Sequence, residues 1–380
     1  CKYNFSNYGF IFIIIIISLC LSTAGYRPPP RLAILHDLLP PSSIPHQRPS
    51  SVHLAGGRPT LRLPVRGLHC RTRLLHRSSL LRQTCPVRSL NFSKLLGAGV
   101  LHTKFWIVDR KHFYIGSANM DWRALTQVKN ICYYVGRLEL CVLGAMTMMC
   151  VPQVYWSLGG PDAEVPAEWP AALNTDINLN HPINITANNF TYGSSPPAFS
   201  PEGRTSDDDA IVSIIESAEE FVYISVMDYS PALLFLPKFQ FWPKIDDAIR
   251  KAALEHKVKV KMLISWWSQS RSSQDNFLRS LAALSQALPR VDIQVKRFIV
   301  PATPEQAKIP FARVNHNKYM VTDRCAYIGT SNWSGDYFTN TAGTALVVTD
   351  HGDGNSTDIR KDLQSVFERD WSSPYAVPLR

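Results

Sequence analysis

Apolar and polar positions follow two periodicities along the second half of the chain. Ser206-Asp207-Asp208-Asp209 reads as a helix N-terminus, a capping hydroxyl followed by acids that suit the positive end of a helix; Ile211, Ile214, Ile215 and Ala218 then share one face. Phe221 to Met227 is a β-rich run. Pro243 fits the first turn of a helix whose apolar face is Ile245, Ala248, Ile249, Ala252 and Leu254. Val258 to Trp267 is the next strand, Gln274 to Leu288 the next helix, and Val291 to Val300 a further strand. Strands alternating with helices predict an α/β domain with a mostly parallel sheet. The acids at 207–209 are read as a solvated helix start rather than a metal site.

Two shorter runs, Phe105-Trp106-Ile107-Val108 and Tyr319-Met320-Val321-Thr322, are strand-like and predicted to be buried on both faces. His102-Thr103-Lys104 precedes the first and His316-Asn317-Lys318 the second, and the runs close on Asp109 and Asp323. The pattern H-x-K-x-x-x-x-D thus occurs twice, with matching tails Tyr114-Ile115-Gly116-Ser117-Ala118-Asn119 and Tyr327-Ile328-Gly329-Thr330-Ser331-Asn332, which makes it an internal repeat. Turns after the aspartates lead to second strands, Phe113 to Ile115 and Ala326 to Ile328. Alternation along a strand points His102 and Lys104 the same way, and likewise His316 and Lys318. Gly116 and Gly329 are expected to let the backbone approach whatever these side chains hold. Asn119 and Asn332 follow at the strand exits, where short polar groups can face a pocket.

This set of side chains has a definite chemistry. One imidazole can attack an electrophile while the second protonates the leaving group. Two ammonium groups and two carboxamides suit the non-bridging oxygens of a phosphoryl centre. The chain has no H-E-x-x-H and no paired C-x-x-C, so the reading is phosphodiester cleavage without metal or other cofactor, through a phosphohistidine. Asp109 and Asp323 are assigned to support by hydrogen bonding rather than proton transfer.

Both blocks resemble the HKD motifs of the phospholipase D superfamily. The longer strings, Gly99 to Trp106 with Ser117 to Trp122, and Arg313 to Met320 with Thr330 to Gly335, are similar to its members 3 and 4, endolysosomal single-pass membrane glycoproteins. The likeness spans about residues 87–130 and 154–376. It implies two phospholipase D-like α/β halves packed around one shared two-HKD site, and 5′ exonuclease cleavage of single-stranded DNA and RNA. Lipid phosphodiester chemistry is the alternative activity. The resemblance makes the histidines, His102 and His316, nucleophile and general acid, and gives Lys104, Asn119, Lys318 and Asn332 the phosphate. Ser117 and Thr330 are assigned to the substrate with them. Trp333 and Phe338, and less directly Tyr337 and Trp122, are candidates for stacking bases. Tyr229 to Trp242, rich in Leu and Phe, is the candidate apolar entry surface for a lipid.

Ahead of the first motif the pattern breaks down. Residues 26–86 offer no strand–helix unit to match the second half, carry Pro28-Pro29-Pro30 and Pro40-Pro41, and hold one acid, Asp37. The return of matching sequence near Val87 predicts a frame or splice discontinuity upstream, and residues 131–150 depart in the same way. A third reading follows, a non-catalytic truncated product. The expected domains are therefore 1–25, 26–86, 87–200 as a first, incomplete HKD half, and 201–380 as the second.

The bias changes the meaning of the charge. Residues 1–90 hold 12 of the 40 Lys and Arg but one of the 30 acids, so the net +10 of the whole chain becomes −1 for residues 91–380. The basic pI therefore carries no argument for nucleic-acid binding. Phe10 to Leu21, apolar except Ser18, suits a signal h-region or signal anchor, which places the chain in the secretory pathway: a membrane contact through this segment, type II topology or a released form, and an endosome–lysosome destination. The sequons at Asn184, Asn189 and Asn355 agree; that at Asn332 lies inside the motif and is not expected to carry sugar. A homodimer remains open, and no disulfide pairing follows from the eight cysteines.

Overall fold

The computed structural model describes residues 14–17, 31–35, 65–70, 87–108, 112–135, 150–185, 188–236, 238–350 and 359–379. Its second half forms as the alternation predicts. The Ser206 hydroxyl accepts the Asp209 N–H and starts the helix Asp207–Glu216, which buries Ala210, Ile211, Ile214 and Ile215. Strands Phe221–Val226, Lys259–Ser265 and Ile293–Phe298 run parallel, with Val222 beside Val260 and Val260 beside Ile293. Helices Lys244–Glu255 and Gln274–Ala287 make the crossovers that parallel pairing requires.

Apart from the short parallel pairing of Thr205–Ser206 with Asn188–Ser195, the rest of this sheet is antiparallel, which corrects the mostly parallel expectation. Lys318–Thr322 and Cys325–Gly329 are joined by two residues, and a connection that short makes a hairpin. Gly343–Asp350 and Asn188–Ser195 extend it antiparallel, while Lys318–Thr322 pairs antiparallel with Phe221–Val226. Asn188–Ser195 lies before residue 200 in sequence yet sits in this sheet.

The first sheet has the order Arg31–Leu35, Asn130–Val135, His112–Gly116, Phe105–Val108, Ile14–Ile17, Val65–Cys70, Val87–Leu90. Three of its strands, Phe105–Val108, His112–Gly116 and Asn130–Val135, repeat the antiparallel arrangement of Lys318–Thr322, Cys325–Gly329 and Gly343–Asp350. Trp106 stacks on its cross-strand partner Tyr114 at 3.7 Å between ring centroids. The segment read as lacking a strand–helix unit supplies strands Arg31–Leu35 and Val65–Cys70, and the strand Ile14–Ile17 of the terminal apolar run pairs parallel to Phe105–Val108 through Ile16 and Ile17. No helix of the described residues is long and apolar enough to cross a membrane.

A single apolar core joins the sheets. Leu101, Phe105, Ile107 and Ile115 of the first pack in one cluster with Tyr319, Val321, Ile328 and Leu346 of the second, closed by Leu363 and Phe367 of the helix Ile359–Trp371. A second cluster lies between the outer helices and the other face of the second sheet.

Asp207 is an exception inside this packing. It is fully buried, and its carboxylate accepts from the Tyr327 hydroxyl at 2.7 Å and the Ser331 hydroxyl at 3.2 Å. Burial outweighs these bonds and pushes its carboxyl up to about 7. A carboxyl raised on folding favours the folded state most below its unfolded pKa, and that contribution is lost as pH rises through about 7. In thermal melts from about pH 5 to pH 8, the wild-type Tm is expected to fall relative to that of Asp207→Asn. Parallel curves would contradict the assignment.

Candidate active site

The two H-x-K segments meet where the sheets join. The His102 N–H donates to the Ala342 carbonyl at 2.9 Å and the Ala342 N–H to the Val100 carbonyl at 3.0 Å. Across the repeat, the His316 N–H donates to the Lys129 carbonyl at 2.8 Å and the Lys129 N–H to Val314 at 3.0 Å. Ala342 and Lys129 occupy matching positions, ten residues after Asn332 and Asn119. Each histidine is thus bridged to the segment that follows the other half's motif.

The side chains repeat the exchange. The His102 ring hydrogen-bonds the Thr330 backbone, and the His316 ring the Ser117 backbone. Lys104 Nζ donates to the His102 carbonyl at 2.5 Å, and Lys318 Nζ to the His316 carbonyl at 3.1 Å. All four are close enough to act on one another's protonation. Burial, then Lys104, Lys318 and His316, hold His102 well below the usual imidazole range; burial, then Lys318 and Lys104, do the same for His316. Burial and the facing Lys318 lower Lys104, and burial lowers Lys318 to about 7 despite the opposing pull of Asp228. Two buried lysines, one from each half, form a receptor for a dianion or a phosphodiester.

The remaining expected residues divide. Asn332 is buried and hydrogen-bonds the Tyr337 hydroxyl, while Asn119 is half-buried; in both, Oδ1 has no hydrogen-bond partner among the described residues. Ser117 and Thr330 are fully buried, and their hydroxyls accept the Ile131 N–H at 3.0 Å and the Thr344 N–H at 2.9 Å. The two carboxylate oxygens of Asp323 take the N–H groups of Glu219, Glu220 and Phe221 at 3.1–3.3 Å. It therefore holds the strand that carries Lys318 and bonds no motif side chain. Asp109 lies outside the described residues, as does Asn355. Asn184 is exposed and Asn189 half-buried, and the two are register partners in an antiparallel pair.

Three readings need correction. Trp333 and Phe338 are each 1% exposed and belong to the apolar core, where Phe338 stacks on Trp242 at 5.4 Å, so neither offers a face to a base. Trp122 is 60% exposed. Gly116 does not clear space for a ligand: a Cβ there would lie 2.5 Å from the Cys132 Cβ, so the glycine admits the neighbouring strand. Among the described residues, no three His, Cys, Asp or Glu gather as ligands for a metal.

Two groups had no sequence signal. Asn130 is fully buried, and its amide nitrogen donates to the Ala124 and Val128 carbonyls at 2.8 and 3.2 Å. Its oxygen, which also accepts from Ser117, therefore faces His316 Nδ1 at 3.1 Å, and Nδ1 must donate. Asn130 thus acts on the protonation of His316 directly. Asp228 sits among Lys318, Arg271 and Arg297, its carboxyl raised by burial and drawn down by those cations. Neither belongs to a repeated pattern, which is why sequence alone passed over them.

Paired histidines and lysines exchanged between two α/β halves make a two-HKD site. The family described as PLD3/4, PLD-like domain matches residues 85–303, and the chain belongs to it. It is 52% identical over 305 residues to the 5'-3' exonuclease PLD3 of Xenopus laevis, covering 79% of this chain and 61% of that protein. It is 43% identical to the 5'-3' exonuclease PLD4 of Mus musculus, covering 77% and 59%. The chain thus spans about three fifths of these relatives. The phosphatidylserine synthase of Haemophilus influenzae Rd KW20 shares the fold, with a TM-score of 0.51 at 12% identity over 77% of this chain and 66% of that one.

The low pKa values set the pH response. Phosphodiester cleavage is expected to decline as pH rises through about 7, where Lys318 loses its charge. Asn130→Asp places a carboxylate against His316, which raises its pKa. Its kcat/KM profile is expected to move to higher pH. A profile flat to about pH 9, or one unmoved by the substitution, would contradict these roles.

Proposed function

We propose that the chain is a phosphodiesterase that removes nucleotides from the 5′ end of single-stranded DNA or RNA through a phosphohistidine intermediate. The observation that carries this reading is the reciprocal anchoring of His102 and His316, each with its lysine, around one receptor for a phosphoryl group. One imidazole nitrogen bonds to phosphorus as the bond from phosphorus to the leaving oxygen breaks, and the other histidine gives that oxygen its proton. Water then attacks the phosphohistidine, returning a proton to the second histidine and the imidazole to the first. Lys104, Lys318 and the two asparagines hold the non-bridging oxygens. Ser117, Thr330 and Asp323 support this chemistry by fixing backbone, and Asp109 is assigned the matching support in the first half.

The exonuclease names of the PLD3 and PLD4 relatives support the choice of nucleic acid. A second reading, a phospholipid substrate, rests on the loop before the helix Lys244–Glu255, where Phe239 and Phe241 are 65% and 66% exposed. The setting that goes with the first reading is the endolysosomal lumen, reached through the secretory pathway. It includes glycans at Asn184, Asn189 and Asn355, a membrane contact through the N-terminal apolar segment, and a homodimer as one assembly. Exposure of Asn184 supports the first of these glycans.

The purified chain is expected to shorten a 5′-hydroxyl single-stranded oligonucleotide stepwise from its 5′ end and to leave phosphatidylcholine vesicles intact; the opposite result favours the second reading. His102→Ala and His316→Ala are each expected to lower turnover by about a thousandfold or more. Substantial activity in either variant would contradict a shared site.

A further inference from the structure

A line of rings runs outward from the site. Tyr337, half-buried, packs edge-on against His102 at 4.9 Å between centroids, and Phe235 packs edge-on against Tyr337 at 6.3 Å. Phe235 is 43% exposed, and the Arg271 guanidinium lies 5.8 Å from its ring centroid. Arg271 itself is exposed. The line is built rather than incidental. Asp336, 3% exposed, accepts the Leu234 N–H at 2.5 Å and the Phe235 N–H at 3.0 Å, which fixes the loop bearing Phe235 to the short helix bearing Tyr337. The Ser195 hydroxyl holds the Tyr337 carbonyl at 3.0 Å on the other side.

The result is a surface phenylalanine pinned through its backbone by a buried carboxylate, with a cation over its ring. We propose that Phe235 and Arg271 form a nucleobase subsite, taking the base of a nucleotide adjacent to the scissile phosphate, with Tyr337 as the link to His102. The inference rests on the single-strand nuclease reading and deepens it. A π face accepts any base, a guanidinium beside it attracts the strand's phosphates, and the geometry supplies both at the mouth of the phosphate receptor. It replaces Trp333 and Phe338, which the core has consumed, as the place where the strand rests. Asp336 is a positioning residue in this scheme, acting through the backbone of Phe235.

The test compares two 5′-hydroxyl oligonucleotides of equal length, one unmodified and one with abasic tetrahydrofuran units at its first two positions. The ratio of kcat/KM for the first to the second reports base recognition. Stacking of one base corresponds to roughly a five- to hundredfold effect, so Phe235→Ala is expected to reduce the ratio about tenfold, mainly through KM, and Phe235→Trp to restore it. Phe235→Leu, which keeps apolar bulk without a ring, is expected to behave as alanine does. An unchanged ratio in Phe235→Ala, with the variant melting at the wild-type temperature, overturns the subsite while leaving the nuclease reading intact. Failure of the wild-type chain to cut either oligonucleotide overturns the nuclease reading, and the subsite with it. A loss in Phe235→Leu confined to cleavage of phosphatidylcholine vesicles overturns the subsite in favour of a lipid contact.

Discussion

The peptide groups of His102 and His316 are tied into the opposite half, to the carbonyls of Ala342 and Lys129, and the rest of the site depends on that exchange. A main-chain hydrogen bond contributes only about 1 kcal/mol, but it fixes position well because both partners lie on packed strands. Around His316 the anchor is itself anchored. Lys129 is buried, and its ammonium meets the fully buried Asp370 at 2.6 Å, on the helix that closes the shared core. Removing the Asp370 carboxylate would leave the Lys129 ammonium uncompensated in the interior, which costs about 3–5 kcal/mol. The ion pair therefore fixes the segment whose carbonyl receives His316.

That rigidity permits an electrostatic arrangement that would relax in a softer structure. Lys104 and Lys318 are buried side by side, each lowering the histidine of the other half. Like charges held close together repel, and an anion bound between them converts that repulsion into attraction. A phosphodiester between the lysines favours their charged forms, the direction that also favours charge developing on phosphoryl oxygens. Asp228 moderates the effect by holding Lys318 closer to its charged form.

Much of this was legible in the residues. The duplicated H-x-K stood out because catalysis needs particular atoms and the repeat supplied them twice at one spacing. The second half was readable because each helix shows a 3.6-residue apolar face and each parallel strand an apolar run. Other features were not. The hairpins at 318–329 made the sheet mixed, which apolar runs alone do not reveal. Trp333 and Phe338 looked like binding aromatics because they follow the motif, but apolar burial claimed them, while Phe235 was read only as part of an apolar entry surface for a lipid. Asn130 acquires its role only from a fold that brings residues 130 and 316 together. The strands at 14–17, 31–35 and 65–70 arise from segments with no sustained period, so their pairing depends on neighbouring strands rather than local pattern.

The central claim is one phosphoryl receptor assembled from both halves. A crystal structure with tungstate, a tetrahedral oxyanion that mimics phosphate, tests it most directly. Expected is one tungstate held within hydrogen-bond distance by Lys104 and Lys318 together, with the His102 and His316 rings on either side. Two separate tungstates, each held by a single half, or one bound away from either lysine, would contradict it.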